Sequence, residues 1–184
     1  SHKLGQLYLI NALCNTASVI SNGEVIGGNS TDRALAGSVL QEKAPMVRIK
    51  SKLPFDSALK LSAASVEGDI STVLIKGAPE RLIPYCKRAY TKDGSVCPFS
   101  HVSDGLLKRI RELTASGGRV LCIAEGNAMP DPKVRGELTF IAAVLLLDKL
   151  RNEAANAVRE LEGAGRQVVM ITGDNIDTAE HIAR

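Results

Sequence analysis

Eight consecutive apolar residues, Phe-Ile-Ala-Ala-Val-Leu-Leu-Leu at 140–147, constrain the fold of this chain more than any other stretch. A helix that spans a bilayer needs about 20 such residues, so this run is far too short to cross a membrane. It shows no apolar–polar alternation, which suits a β-strand buried on both faces. Such a strand needs packing layers on either side. Hydrophobic residues, 45% of the chain, can supply them. Aromatic residues are only 3%, with no Trp, so the core is expected to be aliphatic and each aromatic in a polar setting stands out.

The surroundings of this run predict a strand–helix–strand unit. The stretch 138–147 reads as the first strand, 151–165 as a helix ended by Gly163 and Gly165, and Gln-Val-Val-Met-Ile at 167–171 as a second buried strand. Such a unit is parallel and right-handed, and its ligands bind at the carboxyl ends of the strands. Asp148 and Thr172–Asp174 lie there.

The first part reads differently. The stretch 6–20 reads as a helix running into a loop, 21–31 as turn, and 32–42 as a helix capped by Ser30 or Thr31. A short strand is expected before Pro54. The stretches 59–66 and 71–76 flank Glu-Gly-Asp-Ile as an antiparallel hairpin. A short helix follows Gly77, with Pro79 in its first turn. Residues 94–105 read as loop, 106–116 as an amphipathic helix stopped by Gly117-Gly118, and 119–126 as another strand. The fold class is therefore α+β: an antiparallel-sheet domain at 1–136, then part of a doubly wound α/β unit at 137–184.

A net charge of +3 is too mild for a nucleic-acid partner. Cys14, Cys86, Cys97 and Cys122 form no Cys-x-x-Cys pair, so no metal site is expected and free thiols are. No signal peptide precedes residue 20.

Thr172-Gly173-Asp174 closes the second predicted strand. A small residue lets an anion approach the backbone, a hydroxyl can donate to a phosphate oxygen, and a following helix start adds N–H donors. The same residues equally suit a plain strand-to-helix turn, with Asn175 or Asp177 as its cap. Spacing alone leaves the two readings even.

Several motifs in order resemble those of P-type cation-transporting ATPases, in the type II, calcium-pump-like subgroup. Met-Ile-Thr-Gly-Asp-Asn (170–175) resembles that family's hinge-and-phosphate loop, and Lys-Gly-Ala-Pro-Glu (76–80) its nucleotide-domain signature. Cys-Asn-Thr-Ala (14–17), Gly-Asn-Ser-Thr-Asp-Arg-Ala-Leu (28–35), the region 54–63 and Gly-Gly-Arg-Val-Leu (117–121) match further segments. Asp148-Lys149-Leu150-Arg151 stands where the family typically reads Asp-Pro-x-Arg.

The resemblance implies a nucleotide-binding domain followed by part of a haloacid-dehalogenase-like phosphorylation domain. By this reading the chain is a soluble piece from the cytoplasmic face of a membrane pump. The family's Asp-Lys-Thr-Gly-Thr loop, which carries the phosphorylated aspartate, is not in the chain, so no catalytic residue is assigned and the chain alone is not expected to turn ATP over. ATP is the implied ligand and Mg2+ the implied ion, with its ligands mostly elsewhere. The remaining pump segments are the implied partners, and the chain by itself is expected to self-associate. The alternatives are a soluble haloacid-dehalogenase-like phosphatase and a non-catalytic interaction module.

Site residues follow from the resemblance. Phe55, which by itself reads as an ordinary core residue, would stack on adenine. Asp32, where the family usually has Glu, would accept from the adenine amino group. Lys76 would aim its ammonium at the nucleotide, with Gly77 letting the ligand near the backbone. Lys60 and Arg119 would meet the phosphate tail, a role that suits a guanidinium fork. Asp148, Thr172, Gly173 and Asp174 would form the phosphate and hinge loop.

Overall fold

The computed structural model describes residues 1–115, 118–130, 137–147 and 153–171. The expected phosphate and hinge residues Asp148, Thr172, Gly173 and Asp174 lie outside these. Among the described residues, a seven-stranded sheet runs in the order β3-β4-β5-β8-β9-β6-β7. Its strands are β3 (Val47–Asp56), β4 (Leu61–Gly68), β5 (Thr72–Gly77), β6 (Cys86–Tyr90), β7 (Val96–Pro98), β8 (Arg119–Gly126) and β9 (Leu138–Leu146). A separate two-stranded hairpin is made by β1 (Ser18–Ser21) and β2 (Glu24–Gly27).

Helices cover both faces of the large sheet. Strand alternation puts Val66, Leu74 and Ile123 on one face, where they pack with Leu7 and Ile10 of α1 (His2–Cys14). Ala63, Val73, Ile75, Cys122 and Ala124 take the other face. They pack with Leu82 of α3 (Pro79–Leu82), with Phe99, and with Ile110 of α4 (Ser103–Ala115). A third cluster ties Leu9 and Ala12 of α1 to Leu35 of α2 (Ser30–Gly37). The Phe99 and Phe140 rings meet edge to face with centroids 5.9 Å apart, an uncommon aromatic contact in this aliphatic core.

The apolar run at 138–147 forms β9 as a strand, yet it does not open a second sheet. It lies between β8, to which it is antiparallel, and β6, to which it is parallel. Only its first half, Leu138 to Ile141, is buried on both faces; from Ala142 onward half-buried and exposed residues alternate, with Leu145 36% and Leu147 63% exposed, so burial on both faces does not hold along the whole run. The strand predicted at 167–171 is not formed, because residues 166–171 carry no regular structure. The helix between them is present as α5 (Ala154–Gly163). The α+β class with a mostly antiparallel sheet therefore holds, while the described residues contain no doubly wound unit.

Other expectations shift locally. The cap of α2 is Asn29, whose Oδ1 accepts from the Asp32 N–H at 2.9 Å, rather than Ser30 or Thr31. Strand β3 runs through Pro54 instead of stopping before it; β3 is an edge strand, where a missing N–H costs no ladder bond. Residues 96–98 form β7, and Phe99–His101 a 3-10 turn, within a stretch expected to be loop.

Candidate functional site

The candidate residues gather at one end of the large sheet. Strand β5 ends at Lys76-Gly77. The register pairs Ser62 with Lys76 and Leu61 with Gly77 across β4, and Gly77 with Cys122 across β8. Strand β8 begins three residues earlier, at Arg119, which pairs with Leu146 of β9. Phe55 lies at the end of β3 and Lys60 in the turn that leads into β4. Asp148 follows β9 by two positions, outside the described residues.

At the centre is an ion pair. Lys76 Nζ donates to Asp32 Oδ1 at 2.6 Å. Lys76 is 5% and Asp32 7% exposed. The other Asp32 oxygen, Oδ2, accepts from the Ala17 N–H at 2.9 Å. Burial lowers the Lys76 pKa, against the opposing pull of the Asp32 hydrogen bond and charge; the positive Lys52 lowers it further. Sequence reading takes Asp32 and Lys76 as separate contacts to a ligand, whereas the structure joins them to each other. Each carboxylate oxygen keeps a lone pair beyond its bound donor.

Phe55 is 60% exposed, so the reading of it as an ordinary core residue does not hold. Its direction follows from an irregularity in the β3–β4 ladder. Leu53 opposes Ala63 and Asp56 opposes Leu61, with a register shift between them. Three residues of β3 thus face two of β4, and strand alternation is reset at Pro54. A regular strand would place Phe55 on the Leu53 face; the shift places it on the face shared by Ser62 and Lys76.

Gly77 and Lys60 are locked together. A Cβ on Gly77 would lie 2.8 Å from the Lys60 carbonyl oxygen. The same carbonyl accepts from the Ala78 N–H at 3.2 Å. The absent side chain thus makes room for the turn that carries Lys60. That turn is shaped by Asp56, whose Oδ1 accepts from the Ala58 and Leu59 N–H groups, both at 2.8 Å. Lys60 itself takes a left-handed φ of 54° and is exposed.

Two features escape the sequence reading. The first is the β1–β2 hairpin. Asn22-Gly23, with φ values of 52° and 78°, is the dipeptide that a two-residue turn of this hand requires, and it marks the hairpin plainly. The second is the buried amide of Asn15, which touches the backbone of β5, the strand that carries Lys76, and of its neighbour β4. Nothing in periodicity signals that contact.

Among the described residues no His, Cys, Asp and Glu cluster could hold a metal ion. Nor is any helix there long and apolar enough to cross a membrane.

The chain matches the family model for "P-type ATPase, cytoplasmic domain N" over residues 3–153. It is 34% identical to plasma membrane calcium-transporting ATPase 3 of Rattus norvegicus over 177 residues, 85% of this chain and 14% of the rat protein. It is 31% identical to a calcium-transporting ATPase of Bacillus subtilis over 200 aligned positions, all of this chain and 22% of that protein. Against calcium-transporting ATPase 1 of Yarrowia lipolytica the identity is 30%, over all of this chain and 21% of that protein. The chain thus spans less than a quarter of the length of these relatives.

Proposed function

Because this chain belongs to the P-type cation-transporting ATPases, matching their cytoplasmic domain N over most of its length, we propose that it binds ATP at the Asp32–Lys76 end of its sheet and presents the nucleotide to a catalytic aspartate elsewhere in a longer, calcium-pump-like protein. The observation that carries this reading is the buried ion pair of Lys76 and Asp32, with the exposed ring of Phe55 on the same sheet face. A purine needs an apolar platform and a few fixed polar groups around its edge. Phe55 supplies the platform, and such stacking is worth about 1–3 kcal/mol per base. A free lone pair of the Asp32 carboxylate is suited to the adenine amino group, and Lys76 holds that carboxylate in place. Lys60 and Arg119, at the same end of the sheet, are suited to the phosphate tail.

In the longer protein the aspartate would attack the γ-phosphorus, the bond to the bridging oxygen would break, and ADP would leave. Mg2+ would travel with the phosphates. Thr172, Gly173 and Asp174 would meet the transferred phosphoryl group, Asp148 would brace the loops near them, and residues beyond β9 would lead into the phosphorylation domain. The cation moved would be of the kind named for the relatives. Val168, Val169, Met170 and Ile171 are all exposed, Ile171 at 95%; the rest of the pump would cover them, and the chain alone would self-associate there.

An NMR titration with ATP tests this. Shifts should centre on Phe55, Lys76 and Gly77, with a dissociation constant on the order of millimolar, about −4 kcal/mol. Phe55→Ala should abolish measurable binding with the fold intact, while Thr172→Ala and Asp174→Ala should change affinity by less than about tenfold. An ATP titration without shifts at the Phe55 end of the sheet would overturn the reading.

A further inference from the structure

The segment Cys14-Asn15-Thr16-Ala17 is a motif with no role assigned so far, and it lies against the ion pair. Asn15 caps the C-terminus of α1, its N–H donating to the Asn11 carbonyl at 3.0 Å. It is 1% exposed. Its side-chain Nδ2 reaches the carbonyls of Ser62 and Leu74, both at 3.3 Å, and Asn11 Oδ1 at 3.0 Å. Ser62 is the register partner of Lys76 across β4, and Leu74 precedes Lys76 by two on β5. One amide therefore pins the strand that carries the lysine, β5, and its neighbour β4 to the end of α1. The next residue, Thr16, accepts at its carbonyl from Lys52 Nζ. The one after, Ala17, donates its N–H to Asp32 Oδ2. Three consecutive residues thus fix the strand of the lysine, the neighbouring cation and the carboxylate.

The way Asn15 is satisfied points to placement rather than to stability. Its donors are all engaged, yet its Oδ1 is buried with no hydrogen-bond partner among the described residues, as are Asn11 Nδ2 and Ser62 Oγ. A buried acceptor in that condition is costly, and an apolar residue of similar shape avoids the cost. What an apolar residue cannot do is hold the Ser62 and Leu74 carbonyls at the end of α1, and so set where the Ala17 N–H stands relative to Lys76.

We propose that Asn15 is a positioning residue, which sets the Asp32 carboxylate against the Lys76 ammonium by clamping β4 and β5 to the C-terminus of α1. Its consequence for ATP rests on the nucleotide reading above; its consequence for the ion pair does not.

The test uses the whole chain with 15N-labelled lysine, in which the buried Lys76 ammonium should give a slowly exchanging signal. Asn15→Ala should remove that signal and speed amide exchange at Ala17 by about tenfold or more, and ATP affinity should fall by about tenfold. Asn15→Ser, a milder change that keeps a short donor, serves if the alanine variant does not fold and should show the same losses in part. Ile110→Ala, in the core on the opposite face of the sheet, lowers stability without touching the segment and should leave the Lys76 signal and Ala17 exchange as they are. An unchanged Lys76 signal with unchanged Ala17 exchange in a folded Asn15 variant overturns the proposal. So does an equal loss in Ile110→Ala. Loss of the ammonium signal with unaltered ATP affinity upholds the positioning role and overturns the nucleotide reading instead.

Discussion

Lys76 and Asp32 form an ion pair 2.6 Å long between side chains only 7% and 10% exposed, so neither can lose the other without leaving a buried charge behind. Asp32→Ala should therefore cost about 3–5 kcal/mol of stability. The double variant Asp32→Ala/Lys76→Met should recover much of that loss, since both charges are then gone. Urea denaturation of the four proteins of this cycle checks it. Additive losses would mean that the two groups are coupled to solvent rather than to each other.

The alkaline limb of stability should report Lys76. Its folded pKa is lowered from the ordinary 10.5, with burial as the main cause. Between that lowered value and 10.5 the unfolded chain binds more protons than the folded one, so this group makes stability rise with pH across that window. In Lys76→Met the rise should vanish, and the stability difference between native chain and variant should move in favour of the native chain as pH climbs through the window. Chemical denaturation at several alkaline pH values reads it, and a difference that stays flat would contradict the burial of an ionisable amine.

Gly77→Ala tests the backbone contact beneath the site. The new Cβ would meet the Lys60 carbonyl oxygen at 2.8 Å and the Leu61 Cβ at 3.0 Å, so strand and turn must separate. Overpacking of this kind costs about 1–3 kcal/mol. Lys60 should shift with its turn, and ATP binding should weaken along with stability. Gly105→Ala, where a Cβ meets nothing within 4 Å, is the matched control and should be close to neutral.

The four free thiols should react in an order set by burial. Burial pushes both Cys86 and Cys122 up to about 12, so neither is a thiolate near neutrality. Cys14 is half-buried and also raised by burial, while Cys97 is half-buried. Alkylation at mild alkaline pH followed by mass spectrometry should label the half-buried Cys97 and Cys14 in the folded chain, and Cys86 and Cys122 only on unfolding. Raised thiol pKa values also favour the folded state below 9.0, the ordinary value, and that contribution is lost as pH rises towards about 12.

Much of the fold was legible where local chemistry and packing agree. The hairpin of β4 and β5 has apolar strands bounded by turn formers, and Pro79 does sit in the first turn of α3. The failures come from long-range choice. The apolar run of β9 announced a strand buried on both sides, but nothing within it says which sheet will take it; its partners in β8 and β6 are set by tertiary packing. At the site, Asp32 and Lys76 could be singled out one at a time by their motifs. Their union could not, because 44 positions separate them and neither sits in a pattern that names the other. Phe55 was misleading for a further reason: its outward direction depends on a ladder irregularity that only pairing with β4 creates.

The place of β9 bears on how such a chain is made. Among the described residues it is the last strand in sequence and the fifth across the sheet, and it joins β8 to β6. Without β9 the sheet order would divide into β3-β4-β5-β8 on one side and β6-β7 on the other, each with an inner edge unpaired. The sheet is thus completed at its interior rather than at its rim, and two unpaired inner edges of this kind are open to pairing with the wrong strand until β9 is in place.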